Sequence, residues 1–331
     1  MKAYKGFNKD LTCRGFQYNV GETYEEEKAE LCKAGFHACE SPIACLQHYD
    51  PSNSVYHEVE LDEVSDERNN DTKLVGKKIT IGEEIGITEI CRLTFEYVNE
   101  HCTNENNAEA GKPATAGEYG AATAGDFGAA TAGGHGAAKA GNHGAATAGF
   151  AGAATAGNHG ASTAGYYGAA TAGENGAATA GNRGAATAGE NGAATAGEYG
   201  AATAGDFGAA TAGECGAATA GNHGAATAGY YGSATARDFG AATAGNRGAA
   251  TAGNHGAATS RGKSATGRNG LSVARGNDVR VKGGLGSVLV IAEEKEDYSI
   301  KEFATAIVDG KDIKADTWYK LKNGKLVEVD E

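Results

Sequence analysis

The side chains able to do chemistry in this 331-residue chain fall into two groups. Near the start, Cys13, Cys32, Cys39 and Cys45 accompany His37 and His48, a donor set of the kind that holds zinc. No Cys-x-x-Cys pair is present, and free cysteine is more often simply buried, so no metal or other cofactor is expected. The second group recurs at fixed spacing. One file runs Phe127, His143, His159, Asn175, Asn191, Phe207, His223, Phe239, His255, each preceded by Asp, Asn or Glu. The other holds Tyr119, Tyr167, Arg183, Tyr199, Tyr231 and Arg247. The histidines have no cysteine and carboxylate set around them. Tyrosine and arginine are the residues that anchor interfaces, so the second file is the candidate binding surface.

The element that positions these files is an octad, Gly-Ala-Ala-Thr-Ala-Gly-x-x. Threonine recurs every eight residues from Thr115 to Thr259, interrupted by Lys139. Eight residues are too few to circle a β-helix. Each kind of variable pair recurs only at multiples of sixteen: Asp-Phe at 126, 206 and 238, Tyr-Tyr at 166 and 230, Asn-Arg at 182 and 246. Two octads therefore make one coil, with two Ala-Ala-Thr-Ala strands and two turns. The expected fold is mainly β: a solenoid of nine to ten coils, on the order of 45 Å long at roughly 4.8 Å per coil. Glycine is expected at the turns because it accepts positive φ, and the Asx or Glu residue because it bonds its own backbone. The second and fourth strand residues share one face. After Gly262 the pattern continues as Leu271 and Val273, Val279 and Val281, Leu289 and Ile291, with Ser272, Arg280 and Lys282 between them. Matching this apolar set to the first alanine and the threonine predicts threonine inside. Lys139, in a threonine slot, argues the reverse.

Four segments follow: a small acidic α+β domain over 1–110, the octad solenoid over 111–263, its end with a larger apolar core over 264–291, and a β-hairpin cap over 292–331. The first carries strand-like runs, including LVGKKITIGEEIGITEICRL, and a helix predicted over Tyr24–Ala34 from the Thr23/Glu26 capping pattern. In the last, Asn323-Gly324 marks a hairpin, and Trp318 and Tyr319 are expected to cover the coil end. In the first domain, Lys5-Gly6, Ser41 and His57-Glu58-Val59-Glu60 follow one another in an order that resembles mono-ADP-ribosyltransferases. The arginine of that pattern is missing and the spacing is compressed, so an exposed strand with alternating acids is the plainer reading.

Of the net charge of −13, residues 1–113 carry −10, with 22 acids and 12 bases. An acidic face repels nucleic acid and membrane surfaces, so direct nucleic-acid binding is not expected. The opening MKAYKGFNKDLTCRGF has no apolar signal core, no run approaches membrane-spanning length, and seven cysteines fit a reducing compartment, so a cytoplasmic protein is expected.

The segments MKAYKGFNKDLTCRGFQY…GFHAC and VDGKDIKADTWYKLKNGKLVEV, with Gly/Ala/Thr repeats between them, resemble a group of uncharacterised bacterial and phage proteins. The resemblance implies no activity. The repeats are also similar to the β-roll head repeats of trimeric autotransporter adhesins, which pair two short strands per coil. No secretion signal or anchor is read here, so surface adhesion is not carried over. The expected function is a non-enzymatic intracellular scaffold whose turn edges bind a protein partner, as a phage-encoded factor engaging a host or defence protein would. A homo-oligomer is compatible with it. The alternatives are a DNA-mimicking inhibitor of a nucleic-acid enzyme, which would rest on the acidic domain because the rod is nearly neutral, and an enzyme active site in residues 1–110. Ice binding through a flat threonine row would need threonine outside and a secreted protein.

Overall fold

The structure, a computed structural model, describes residues 1–31, 33–65, 72–100 and 104–330. It divides into two units, residues 1–171 with 179–187, and residues 172–178 with 188–331. The octads run through both.

The first unit opens with five antiparallel strands: β1 (Lys2–Asn8), β2 (Thr23–Glu25), β3 (Phe36–Cys39), β4 (Ser54–Val64) and β5 (Lys73–Glu84). Pairings β1–β4, β4–β5, β5–β3 and β3–β1 close on themselves, and β2 adds to β5. Alternation puts Phe7, Val59, Leu61, Leu74, Ile79 and Ile81 in the core. The helix expected over Tyr24–Ala34 is absent. Thr23–Glu25 is a strand, with Thr23 Oγ1 2.8 Å from Thr80 Oγ1, so sheet pairing and the packing of Tyr24 on Phe16 and Tyr18 override the capping pattern. An α-helix, α1 (Ile87–Glu100), begins inside the stretch read from sequence as strand and runs past its end at Leu93. Its buried Ile90, Cys91, Leu93, Thr94 and Val98 recur at helical spacing.

Parallel pairing begins with Asn104–Ala108 on Gly120–Ala124. Register then advances by sixteen residues, as in Ala121↔Ala137, Thr131↔Thr147 and Ala145↔Ala161, so two octads do make one coil. Threonine, expected inside, faces out. Ala130, Ala132, Ala146 and Ala148 are buried, while Thr131, Thr147 and Lys139 are exposed. The core of the alanine coils is a double row of methyl groups, broken at Ser162, whose buried Oγ has no hydrogen-bond partner among the described residues. A threonine there would bring an extra carbon and a hydroxyl with no partner. Lys139 was the informative residue. On one face the first alanines Ala137, Ala153, Ala169 and Ala185 are buried too, because α1 lies over them: Val98 packs on Ala137 and Ala153, and the Cys91 Sγ accepts from Thr187 Oγ1 at 3.5 Å.

The turns correct two further expectations. The positive φ belongs to the second variable residue: Phe127 (58°), His143 (54°), Ala151 (53°) and Tyr167 (61°) among others. The flanking glycines serve close approach instead. A Cβ on Gly144 would stand 2.8 Å from Ala140 Cβ and 2.9 Å from Gly128 O. The Asx residue bonds the next coil rather than its own backbone: Asn142 N donates to Asp126 Oδ1 at 2.7 Å, and Asn158 N to Asn142 Oδ1 at 2.9 Å.

In the second unit the sixteen-residue register continues, as in Ala193↔Ala209 and Ala225↔Ala241. It shortens to fourteen at Ala257↔Leu271, then lengthens to seventeen at Leu271↔Val288 and Lys263↔Arg280. An odd coil reverses the numbering parity of the inward face. Val279, Val281, Leu289 and Ile291 face in as expected, but Leu271 and Val273 face out, and Ser272 is fully buried. The buried serines satisfy themselves on backbone: Ser264 Oγ donates to Ala258 O at 2.9 Å and Ser272 Oγ to Ser264 O at 2.8 Å.

Antiparallel strands end the stack. Ile300–Ile307 pairs with Val288–Glu294, and Trp318–Lys322 forms a hairpin with Lys325–Val329 around Asn323-Gly324, both at positive φ. Tyr319 pairs with Val281 and sits in the core with Leu289, Ile291 and Leu321, while Trp318 lies beneath the Lys282 ammonium, 4.7 Å from its ring. Glu294, buried, receives Arg261 Nη1 at 3.1 Å and also pairs with Arg275. The Arg261 guanidinium first, then Arg275, holds its carboxyl below the usual range against the desolvation that opposes it.

Candidate functional site

Each coil turn fixes its backbone through bonds to the adjacent coil, so the variable side chains project from regular positions. In the first unit, Phe127, His143 and His159 stack with ring centroids 4.9 Å apart and planes within 3°. In the second, Phe207, His223, Phe239 and His255 stack at 4.9 to 5.0 Å. The coil repeat itself sets this spacing.

The six residues singled out from sequence fall three to each unit. In the first, Tyr119 stacks on His135 at 5.1 Å, and Arg183 Nη1 donates to Tyr167 OH at 2.8 Å with the guanidinium 5.8 Å from its ring. In the second, Arg247 makes the same pair with Tyr231, 5.5 Å over the ring, and Tyr199 is exposed. Arg247 holds the Tyr231 phenol below its usual range, and the bond to Tyr231 pushes the neighbouring Tyr230 up. Sequence reasoning left out Tyr166, Tyr230 and Phe150. Tyr166 and Tyr230 meet the next ring edge-on at 4.3 and 4.4 Å, and Phe150 meets Tyr167 at 5.7 Å. The recurrence of Tyr-Tyr at 166 and 230 was their signal.

The zinc donor set does not assemble. Among the described residues no three His, Cys, Asp or Glu form a metal-holding group, and Cys32 lies outside them. Cys13 Sγ is 2.8 Å from Tyr49 OH, and burial pushes the Cys45 thiol well up and the Cys91 thiol up to about 11. Nor does the transferase-like order converge. Glu58 pairs with Lys2 at 2.7 Å, Glu60 is exposed, and His57 is buried with Nδ1 2.9 Å from Gly82 O.

The N-terminal domain instead holds a cavity of about 590 Å³, to which Lys5 and Gly6 contribute but Glu58 and Glu60 do not. Its lining includes Lys5, Arg14, His37 and Lys73 and the rings of Phe16, Tyr18 and Tyr24. The three rings meet edge-on at 4.8 to 5.4 Å. Burial, then Lys5, with smaller contributions from Arg14 and Lys73, holds the His37 imidazole below its usual range, although Gly35 O opposes them.

Residues 1–93 match a family model described as a domain of unknown function, DUF7666, which ends inside α1 and leaves the octads uncovered. No curated protein and no solved structure matches the chain.

Proposed function

We propose that the protein is a non-enzymatic intracellular scaffold that presents its Tyr/Arg turn edge to a protein partner, in the manner of a phage-encoded factor engaging a host or defence protein. One observation carries this reading. Tyr167, Arg183, Tyr199, Tyr231 and Arg247 occupy left-handed backbone, as do the matching turn residues of the other edge, where glycine or asparagine would sit without strain and tyrosine or arginine costs on the order of 1–2 kcal/mol. Strain held at repeated positions suggests side chains kept for what they contact. Tyr–Arg pairs offer flat, partly exposed anchors of the kind that dominate interfaces. The test compares bait proteins in a bacterial lysate: wild type against a variant with Tyr167, Arg183, Tyr231 and Arg247 all changed to serine. Proteins captured by wild type and lost from the folded variant support the reading; identical capture refutes it. A Glu58→Gln/Glu60→Gln bait that alone loses capture would move function to the acidic domain.

A second reading is favoured by the outward threonines. Thr195, Thr211, Thr227, Thr243 and Thr259 are exposed and pair in unbroken register, a regular array of methyls and hydroxyls suited to an ordered water layer. Thermal hysteresis that vanishes on Thr227→Lys would favour ice binding over the scaffold.

A further inference from the structure

We infer that the N-terminal cavity is a binding site for a nucleoside phosphate, a planar ring joined to a polyanion. At about 590 Å³ its volume lies within the range of small-molecule sites. Its lining divides by chemistry. Lys5 is buried and its Nζ donates to His37 O at 2.8 Å, which uses one of its three N–H donors and holds the ammonium in place. Arg14 adds a guanidinium that makes no ion pair among the described residues, and Lys73 lines the same cavity. These cations gather in a segment whose net charge is −10, so the cavity is a local reversal of the surrounding field. The charges that act on His37 are cationic, and burial and these cations depress its titration together. Such a site is matched to phosphate oxygens, which a guanidinium engages through two N–H groups at once.

The aromatic wall accounts for the other half of the ligand. Phe16 lines the cavity and is 49% exposed although it packs on Tyr18 and Tyr24, so part of its ring surface is not consumed by the core. Burial pushes the Tyr18 phenol up to about 12, so it stays a neutral donor. Glu25 and Glu26, also on the wall, are acceptors for hydroxyl or amino groups that pyrophosphate lacks, although Glu26 already takes Gly35 N at 3.0 Å and Glu25 pairs with Lys78. A bare anion would leave the aromatic wall unused, and an uncharged nucleoside would leave the Arg14 guanidinium without a counter-charge among the described residues.

Isothermal titration of the full chain with ADP, adenosine and pyrophosphate tests this. ADP is expected to bind saturably, at least tenfold more tightly than either fragment, with affinity falling as salt rises. Arg14→Gln should weaken ADP and pyrophosphate at least tenfold while leaving adenosine unchanged. Phe16→Ser should weaken ADP and adenosine but not pyrophosphate. Both side chains are at the surface, so circular dichroism should match wild type, with melting unchanged for Arg14→Gln and lowered by a few degrees for Phe16→Ser, which loses its packing on Tyr18 and Tyr24. Three results would each overturn the inference: no saturable ADP binding at millimolar concentration, pyrophosphate binding as tightly as ADP, or folded variants that bind ADP like wild type.

Discussion

Within the second unit, the alanine coils and the last two coils solve the same packing problem in opposite ways. The alanine coils have methyl groups inside, an invariant sixteen-residue register, and no freedom in side-chain size. The final coils run at fourteen and seventeen residues; the first buries Ser264, Thr266 and Ser272, and the second fills its core with Val281, Leu289, Ile291 and Tyr319. Backbone spacing fixes the first region. Side-chain volume fixes the second, and there the turn lengths give way to suit it. A solenoid can therefore change from repetition to an individual core without leaving the parallel ladder, provided the turns absorb the difference.

Exchanging the two solutions should do the most damage. Ala210→Leu adds three carbons where only a methyl fits and is expected to cost about 3 kcal/mol or more. Leu289→Ala leaves a cavity and should cost about 2–5 kcal/mol. Thr211→Val, on the outward face of the same strand as Ala210, should stay within about 0.5 kcal/mol. Urea unfolding of the three variants measures the contrast, and a damaging Thr211→Val would reverse the assignment of faces.

Register is the next test. Deleting 197–212 removes one coil and preserves both edge files, so melting should shift by only a few degrees. Both deletions remove Asp206 and Phe207, and with them the bond to Asn222 N and the stack on His223, but deleting 205–212 also sets the later turns on the opposite edge, with Asn222 and His223 in the file of Glu198 and Tyr199. We expect the shorter deletion to be the less stable of the two by about 1 kcal/mol, from mismatched side chains at the seam. Equal melting of the two deletions would show that the edge files contribute nothing.

The cap contributes a pH-dependent increment of its own. The Glu294 carboxyl is depressed in the folded state, so its stabilisation is present above the usual carboxylate range and disappears as pH falls below it. Glu294→Gln should cost about 1–2 kcal/mol at pH 7, discounted for the partly exposed arginines, and much less near pH 3. A gap between wild type and variant that does not close in acid would exclude the ion pair as its source. The smallest effect concerns strain. Ala151→Asn puts a residue tolerant of left-handed backbone at φ 53° and should raise stability by about 0.5 kcal/mol in thermal unfolding.

Periodicity made the coil legible, because only a stacked structure gives variable pairs a reason to recur at sixteen. What the sequence obscured was parity. Leu271, Val273, Val279, Val281, Leu289 and Ile291 are all odd-numbered, and only the seventeen-residue coil shows that the first two face away from the rest. Threonine was misplaced by the same extrapolation, although Lys139 held the answer. Helix α1 was hidden inside a β-branched run, yet Ile87, Ile90, Cys91, Thr94 and Val98 keep helical spacing. At the candidate edges Tyr119, Tyr167, Arg183, Tyr199, Tyr231 and Arg247 could be picked out by type and register. Their pairing as Tyr–Arg couples could not, because that depends on side-chain reach across one coil. The cavity was least legible, since Lys5, Arg14, His37 and Lys73 converge only through strand pairing.

The methyl-lined core has a calorimetric consequence. The heat-capacity increase on unfolding tracks the apolar area newly wetted, and a coil whose interior is alanine exposes little of it per residue while breaking a full complement of peptide hydrogen bonds. The octad region should therefore show an increment well below the usual ~12–15 cal/mol/K per residue. Its stability curve would be broad and shallow, with enthalpy nearly constant across temperature and with cold denaturation displaced far below the freezing point.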